Sequence, residues 1–176
     1  MMLQLFGYLG RSRELEPLFE EAVRSDAQAH WFAALYRTQF ALEAGERALA
    51  DANFSRLRVS RFRPLIGETP TPAKPETLLR IADACAELGT QRDAQRIYDA
   101  LAPHARWCIV DGFTCWGPAS RPLAALAFQL ERYEDVERHY ADALAMNQRL
   151  GHRPELVRTR LGRGPTFRLS RLDPCP

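Results

Sequence analysis

Histidine and cysteine are the side chains best suited to hold a metal, relay a proton or attack a carbonyl, and this chain carries four of each. Their spacing decides what they can do. His30, His104, His139 and His152 fall on separate predicted elements, with no H-E-x-x-H pair on one helix face. His104, Cys108 and Cys115 make the one local group, and their spacing fits no common zinc pattern. Cys85 sits on an apolar helical face, and Cys108, Cys115 and Cys175 form no compact disulfide framework, so reduced thiols are expected. No G-x-S-x-G elbow occurs, and Cys115 has no activating base nearby in sequence.

The carboxylates read the same way. Glu20 and Glu21 point to different helix faces, while Asp83 and Glu87 lie one turn apart on a polar face, where solvated charge is the expectation. No G-x-x-x-x-G-K-[ST] is present, and Gly162-Arg163-Gly164-Pro165-Thr166 lacks the lysine that would hold phosphate. The expectation is a protein that is not an enzyme, with no catalytic residue, cofactor or metal site. An enzyme or metal-binding protein using the 104–115 loop is the weakest alternative.

What the sequence does repeat is packing. A small or aliphatic residue, an aromatic four positions on and an apolar residue three further recur at Leu15/Phe19/Ala22, Ala50/Phe54/Leu57, Ala94/Tyr98/Leu101 and Val136/Tyr140/Ala143. Gly10, Gly45 and Gly89 stand five residues ahead of the first three, where a left-handed glycine would stop one helix before the next; Glu131 takes that place in the fourth. The small residue lets two helices cross closely, and the aromatic fills the groove beside it.

These signals predict an all-α chain, a solenoid of helical hairpins of tetratricopeptide (TPR) type, with about seven helices. The hairpins are expected over about 1–24, 30–57, 76–105 and 118–150, within a repeat domain of 1–161. The first starts with a helix over Met2 to Leu9 that is hardly two turns long. In the third, Leu78, Ile81, Ala82, Cys85 and Leu88 mark the inner face, with Arg80, Asp83 and Glu87 on the polar one. In the fourth, Leu123, Leu126, Ala127 and Leu130 form the apolar stripe.

Equivalent small residues lie 35, 44 and 42 positions apart, against an ideal period of about 34. The excess is expected as a proline-rich extended connection over Arg58 to Pro75 and an apolar loop over Arg106 to Gly117 that tucks into the stack. After Leu161, Gly162, Gly164 and Pro165 predict an irregular tail over 162–176.

With 46% hydrophobic and 26% charged residues and a net charge of +2, the composition is that of a globular protein and argues against nucleic acid or membrane surface as partner. The Arg-rich tail reads as solvated, and no run is apolar enough to span a bilayer. A cytoplasmic location is expected, since the apolar start lacks the basic region and cleavage site of a secretory signal.

Ala82 to Ala105 (ADACAELGTQRDAQRIYDALAPHA) and Arg132 to Arg160 (RYEDVERHYADALAMNQRLGHRPELVRTR) carry a family resemblance that extends from about Leu3 to Leu161. The turn at Leu88 and Gly89, the Tyr-x-x-Leu-x-Pro from Tyr98 to Pro103 and Arg158 to Leu161 are its features. The stretch resembles the tetratricopeptide-like C-terminal region of large bacterial ATP-dependent regulators, the LuxR-type transcriptional regulators and the AAA or STAND ATPases associated with nucleotide cyclases. That resemblance implies a protein or peptide partner, such as an NTPase or cyclase domain of the same system. The expected function is a non-catalytic interaction and regulatory module, with a vestigial fragment as the alternative. In such a solenoid the first helix of each hairpin lines the binding face, and helical phase then gives Gln39, Glu43, Asp83, Glu87, Arg121 and Gln129 as candidate partner contacts.

Overall fold

The computed structural model describes Leu9 and residues 11–25, 29–65, 74–112 and 114–170. The helix expected over residues 2–8, the stop at Gly10, the connection at 66–73 and the last six residues lie outside that set. The chain divides into two compact units, Met1–Ala73 and Lys74–Pro176.

In the first unit a 3₁₀ turn at Ser12–Leu15 leads into α1 (Glu16–Ser25), followed by the hairpin α2 (Ala29–Glu43) and α3 (Arg47–Leu65). Phe19 of α1 packs on Tyr36 and Phe40 of α2, with ring centroids 5.7 and 6.0 Å apart. Ala50, Phe54 and Leu57 of α3 are buried, as are Ala34, Leu35 and Thr38 of α2. The helix α3 continues to Leu65, so residues 58–65 are helical where an extended connection was expected. No proline interrupts the turns before Pro64, so nothing local stops the helix at Arg58.

In the second unit the hairpin α4 (Pro75–Leu88) and α5 (Gln91–Leu101) is followed by a 3₁₀ turn, Ala102–His104. The strands β1 (Cys108–Asp111) and β2 (Thr114–Pro118) come next, then the hairpin α6 (Ser120–Gln129) and α7 (Tyr133–Leu150), and α8 (Arg153–Ser170). Pro75 opens α4 in the first turn, where its missing N–H is not needed. A capping box opens α5: the Thr90 hydroxyl accepts from the Asp93 N–H, and the Asp93 carboxylate accepts from the Thr90 N–H at 3.1 Å. The hairpins pack side by side through α4, α5 and α6, while α8 lies against α6 and α7. Across all four motifs the first, aromatic and last residues are buried, apart from a half-buried Ala22.

The structure is thus mostly helical, with eight α-helices among the described residues and a small two-stranded sheet. An all-α fold is broadly consistent with this, and the sheet replaces the loop expected over Arg106 to Gly117. Apolar runs stand on both sides of the turn: Asp111 closes β1 by pairing with Thr114, and Gly112 after it turns at φ +54°. Ile109 is buried and Trp116 half-buried, but Trp107 and Val110 stay 55% and 60% exposed, so only one side of the insert tucks in. The expected irregular tail is also corrected, because α8 runs through Gly162, Gly164 and Pro165 to Ser170. Its first half is anchored by the fully buried Glu155 and Thr159. Gly162 faces Tyr140, whose hydroxyl a Cβ there would meet at 3.3 Å.

The helix stops separate two causes for one residue type. Gly45 (φ +75°) ends α2 in the left-handed conformation, with Gly45 N–H bonded to Leu42 O and Glu46 N–H to Ala41 O. Gly89 does not: it sits at φ −79°, and what requires glycine there is space, since a Cβ would lie 2.4 Å from Cys85 Sγ and 2.7 Å from Cys85 O. Glu131 takes the left-handed place after α6, at φ +60°, with the same pair of bonds, its N–H to Phe128 O and Arg132 N–H to Ala127 O. A side chain in that conformation carries about 1 to 2 kcal/mol of strain. Glu131→Gly is therefore expected to raise the unfolding free energy by about 0.5 to 1 kcal/mol after the entropy glycine gains when unfolded. Urea titration of the two chains checks it.

Candidate functional site

The first helices of the second unit are joined by a buried ladder of alternating charge. Arg121 of α6 donates through Nη1 and Nη2 to the two oxygens of Asp83 on α4, both at 2.7 Å, and through Nε to Glu155 Oε2 on α8 at 3.0 Å. Arg158 of α8 closes the set, 3.5 Å from Asp83 and 3.6 Å from Glu155. The planar guanidinium suits this fork, and a lysine could not span it. Each rung joins residues about one hairpin apart in sequence, 38 positions for Asp83 and Arg121 and 34 for Arg121 and Glu155.

Burial and charge compete at these groups. Burial is the largest influence on Asp83 and pushes its carboxyl up, but Arg121, Arg158 and Arg80 together outweigh it and leave the acid stronger than an ordinary aspartate. Burial likewise works against the charge of Arg121, and Asp83 with Glu155 more than restores it. Arg80, on the same face of α4, lies 4.4 Å over the Trp116 ring of β2. The Trp116 Nε1 and, at the start of α6, the Ser120 Oγ are buried without a hydrogen-bond partner among the described residues.

Gly117 of β2 supports the ladder from below. It sits at φ +92°, and a Cβ there would lie 3.0 Å from both Cγ and Oε2 of Glu155, the oxygen that Arg121 uses. Gly117→Ala should lower the unfolding free energy by about 1 to 3 kcal/mol, from a disfavoured backbone and a displaced carboxylate. A normal urea midpoint for that variant would show the contact to be slack.

A second polar seam ties α5 to α7. Tyr98 Oη lies 3.0 Å from His139 Nε2 and 3.3 Å from Asp135 Oδ2. The tyrosine has one hydrogen to give, so both contacts are satisfied when His139 Nε2–H donates to Tyr98 and Tyr98 donates to Asp135. Gln129 Nε2 donates to Gly89 O at 2.6 Å and Arg132 Nη2 to Gln95 Oε1 at 2.6 Å, again spanning 40 and 37 positions.

Burial, then the nearby Arg138, hold the His139 imidazole below its ordinary value of 6.5. Asp83 is also held below its ordinary value of 3.8. In both cases the unfolded chain takes up the proton first, so each contributes stability above its ordinary value that is lost as pH falls. Stability of the second unit is expected to decline in two stages, from about pH 6.5 through His139 and below about pH 4 through Asp83. Urea titrations across that range check it, and His139→Gln should abolish only the upper stage.

The six candidate contacts divide. Asp83 and Arg121 do not face outward as helical phase suggested: Arg121 is 8% exposed, and α8 covers the face that a single helix would leave to water. Gln129 is half-buried and committed to Gly89. Gln39 is half-buried, while Glu43 and Glu87 are exposed. Near Gln39 and Glu43 in chain order, Arg37, Phe40 and Ala41 wall a cleft of about 280 Å³ in the first unit, with Arg13, Glu16 and Glu46 opposite. Its rim is held by Arg13 to Glu46 and Arg37 to Glu16 pairs.

Sequence reasoning missed one juxtaposition. The Sγ atoms of Cys108 and Cys115 lie 3.4 Å apart across the β-hairpin. The signal available was the pair of cysteines flanking Asp111-Gly112, which a strand-turn-strand reading would have brought together. His104 does not join them in a metal site; its ring packs on Trp107 at 4.8 Å. Among the described residues no three of His, Cys, Asp and Glu are placed to hold a metal ion.

No protein-family model, curated protein or solved structure matches the chain. Among the described residues no helix is long and apolar enough to cross a membrane.

Proposed function

We propose that the chain is a TPR-like interaction and regulatory module of the cytoplasm, acting through a protein partner in the way implied for the helical C-terminal region of an ATP-dependent signalling or transcriptional regulator. One observation carries the reading. Polar contacts between the α4–α5 and α6–α7 hairpins recur at 37 to 41 positions, as stacked copies of one unit require. The buried aromatic in each of the four second helices supports it from the apolar side. A ladder that fixes successive first helices gives such a module a stiff face, and stiffness lowers the entropy cost of binding. Glu43 in the first unit and Glu87 in the second, each exposed on its own helix, are retained as separate candidate contacts.

Crosslinking mass spectrometry in the native cell extract tests this. The expected result is crosslinks to a protein bearing an NTPase or cyclase domain, reduced roughly tenfold by Glu43→Arg or Glu87→Arg, which oppose the partner's charge pattern. Crosslinks that ignore both substitutions, or reach no such protein, would overturn the proposal.

A further inference from the structure

We propose that Cys108 and Cys115 form a reversible disulfide site, oxidised by a low-molecular-weight disulfide of the glutathione class. The inference is independent of any protein partner. The thiols already touch at 3.4 Å, and a covalent bond needs them at about 2.05 Å. They come from the two strands of one short hairpin, so closure moves a local element and no helix. The strands pair Cys108 with Pro118 and Cys115 with Val110, and the register slips between Ile109 and Val110. That irregularity is what lets residues not directly opposite each other meet. Both cysteines are half-buried beside the exposed Trp107 and Val110, so a small disulfide can reach them.

The two thiols are not equivalent. Burial, then the hydrogen bond and charge of Cys115, push the Cys108 thiol up to about 12, with Glu155 adding to the effect. The exchange can open at Cys115. Its sulfur, as thiolate, attacks one sulfur of RSSR; the RS–SR bond breaks, Cys115–S–S–R forms, and RS⁻ leaves with the proton Cys115 gave up. Cys108 Sγ then attacks Cys115 Sγ, its proton passes to the departing RS⁻, and the mixed disulfide breaks. Two protein thiols are oxidised to one disulfide, and RSSR is reduced to two RSH.

The site differs from a buried inert thiol such as Cys85, which lies at the tight Gly89 turn. It also adjoins the ladder, because Gly117, two residues beyond Cys115, rests on Glu155.

The test equilibrates the full chain with oxidised glutathione, alkylates the remaining thiols after acid quenching and unfolding in urea, and maps them by mass spectrometry. The expected result is loss of two alkylatable thiols and of the mass of two hydrogen atoms, one peptide pair linking Cys108 to Cys115, and full recovery with dithiothreitol. Cys85 and Cys175 should remain alkylatable. Alkylation of both Cys108 and Cys115, a glutathione adduct that never resolves, or pairing with Cys85, Cys175 or a second chain would each overturn the proposal. The variants add a further arm: Cys108→Ser and Cys115→Ser should each stop at a glutathione adduct on the remaining cysteine of the pair, released by dithiothreitol. Loss of two thiols in either single variant would overturn the assigned pair.

Discussion

Arg121→Ala should lower the unfolding free energy by about 3 to 5 kcal/mol, the largest effect expected of any charged residue in the chain. The loss does not come from a weak surface pair. Arg121 bridges Asp83 and Glu155 through three donors at 2.7 to 3.0 Å, and Glu155 is fully buried. Removing the guanidinium leaves two carboxylates in a poorly solvated place with Arg158 as their nearest described ion-pair partner. Arg121→Lys should recover only part of the loss, because one ammonium cannot reach both acids with the same geometry. The triple change Asp83→Asn, Arg121→Met, Glu155→Gln should come within about 1 kcal/mol of the starting protein, since it removes the charges together with their need for compensation. Urea titrations of the four chains at neutral pH measure this. A deficit below about 1 kcal/mol for Arg121→Ala would mean that the ladder is open to water.

Tyr98→Ala should cost about 3 to 5 kcal/mol, and Tyr98→Phe about 1 to 2. The ring is 7% exposed, lies between α5 and α7, and has the Arg132 guanidinium 5.2 Å from its centre. Truncation to alanine removes that packing and leaves a cavity that the neighbouring helices cannot close. Phenylalanine keeps the ring and loses the hydroxyl, so that His139 and Asp135 lose their common partner. The difference between the two variants separates the apolar contribution of the motif's aromatic from the polar one. Equal losses for both would place the whole effect in the hydroxyl network and deny the ring its packing role.

The helical hairpins near 30–57, 76–105 and 118–150 were legible because helix periodicity is a local property. Leu78, Ile81, Ala82 and Cys85 announce a buried stripe without reference to anything else, and the structure buries all four. The ladder was not legible in the same way. Asp83, Arg121 and Glu155 are ordinary polar-face residues until the offset between successive hairpins is known, and that offset depends on the inserts. The β-hairpin was hidden by its own apolar character, which reads equally as a packed loop. Gly89 shows a subtler limit, since a glycine at a helix end suggests a left-handed turn, whereas here the crowding of Cys85 accounts for it. Glu131 is the converse, a left-handed residue with nothing in its type to reveal it.

The reach of the polar contacts in the second unit has a bearing on how that unit assembles. Asp83 with Arg121, Gly89 with Gln129, Gln95 with Arg132 and Tyr98 with Asp135 all connect places no more than 40 residues apart. Contacts within one hairpin span fewer residues than these bridges and form sooner. Either hairpin can therefore nucleate and offer its flank as a template for the other. Arg158 reaches back to Asp83 past the intervening hairpin, so its pairing belongs to the last step, when α8 closes over two helices already in place.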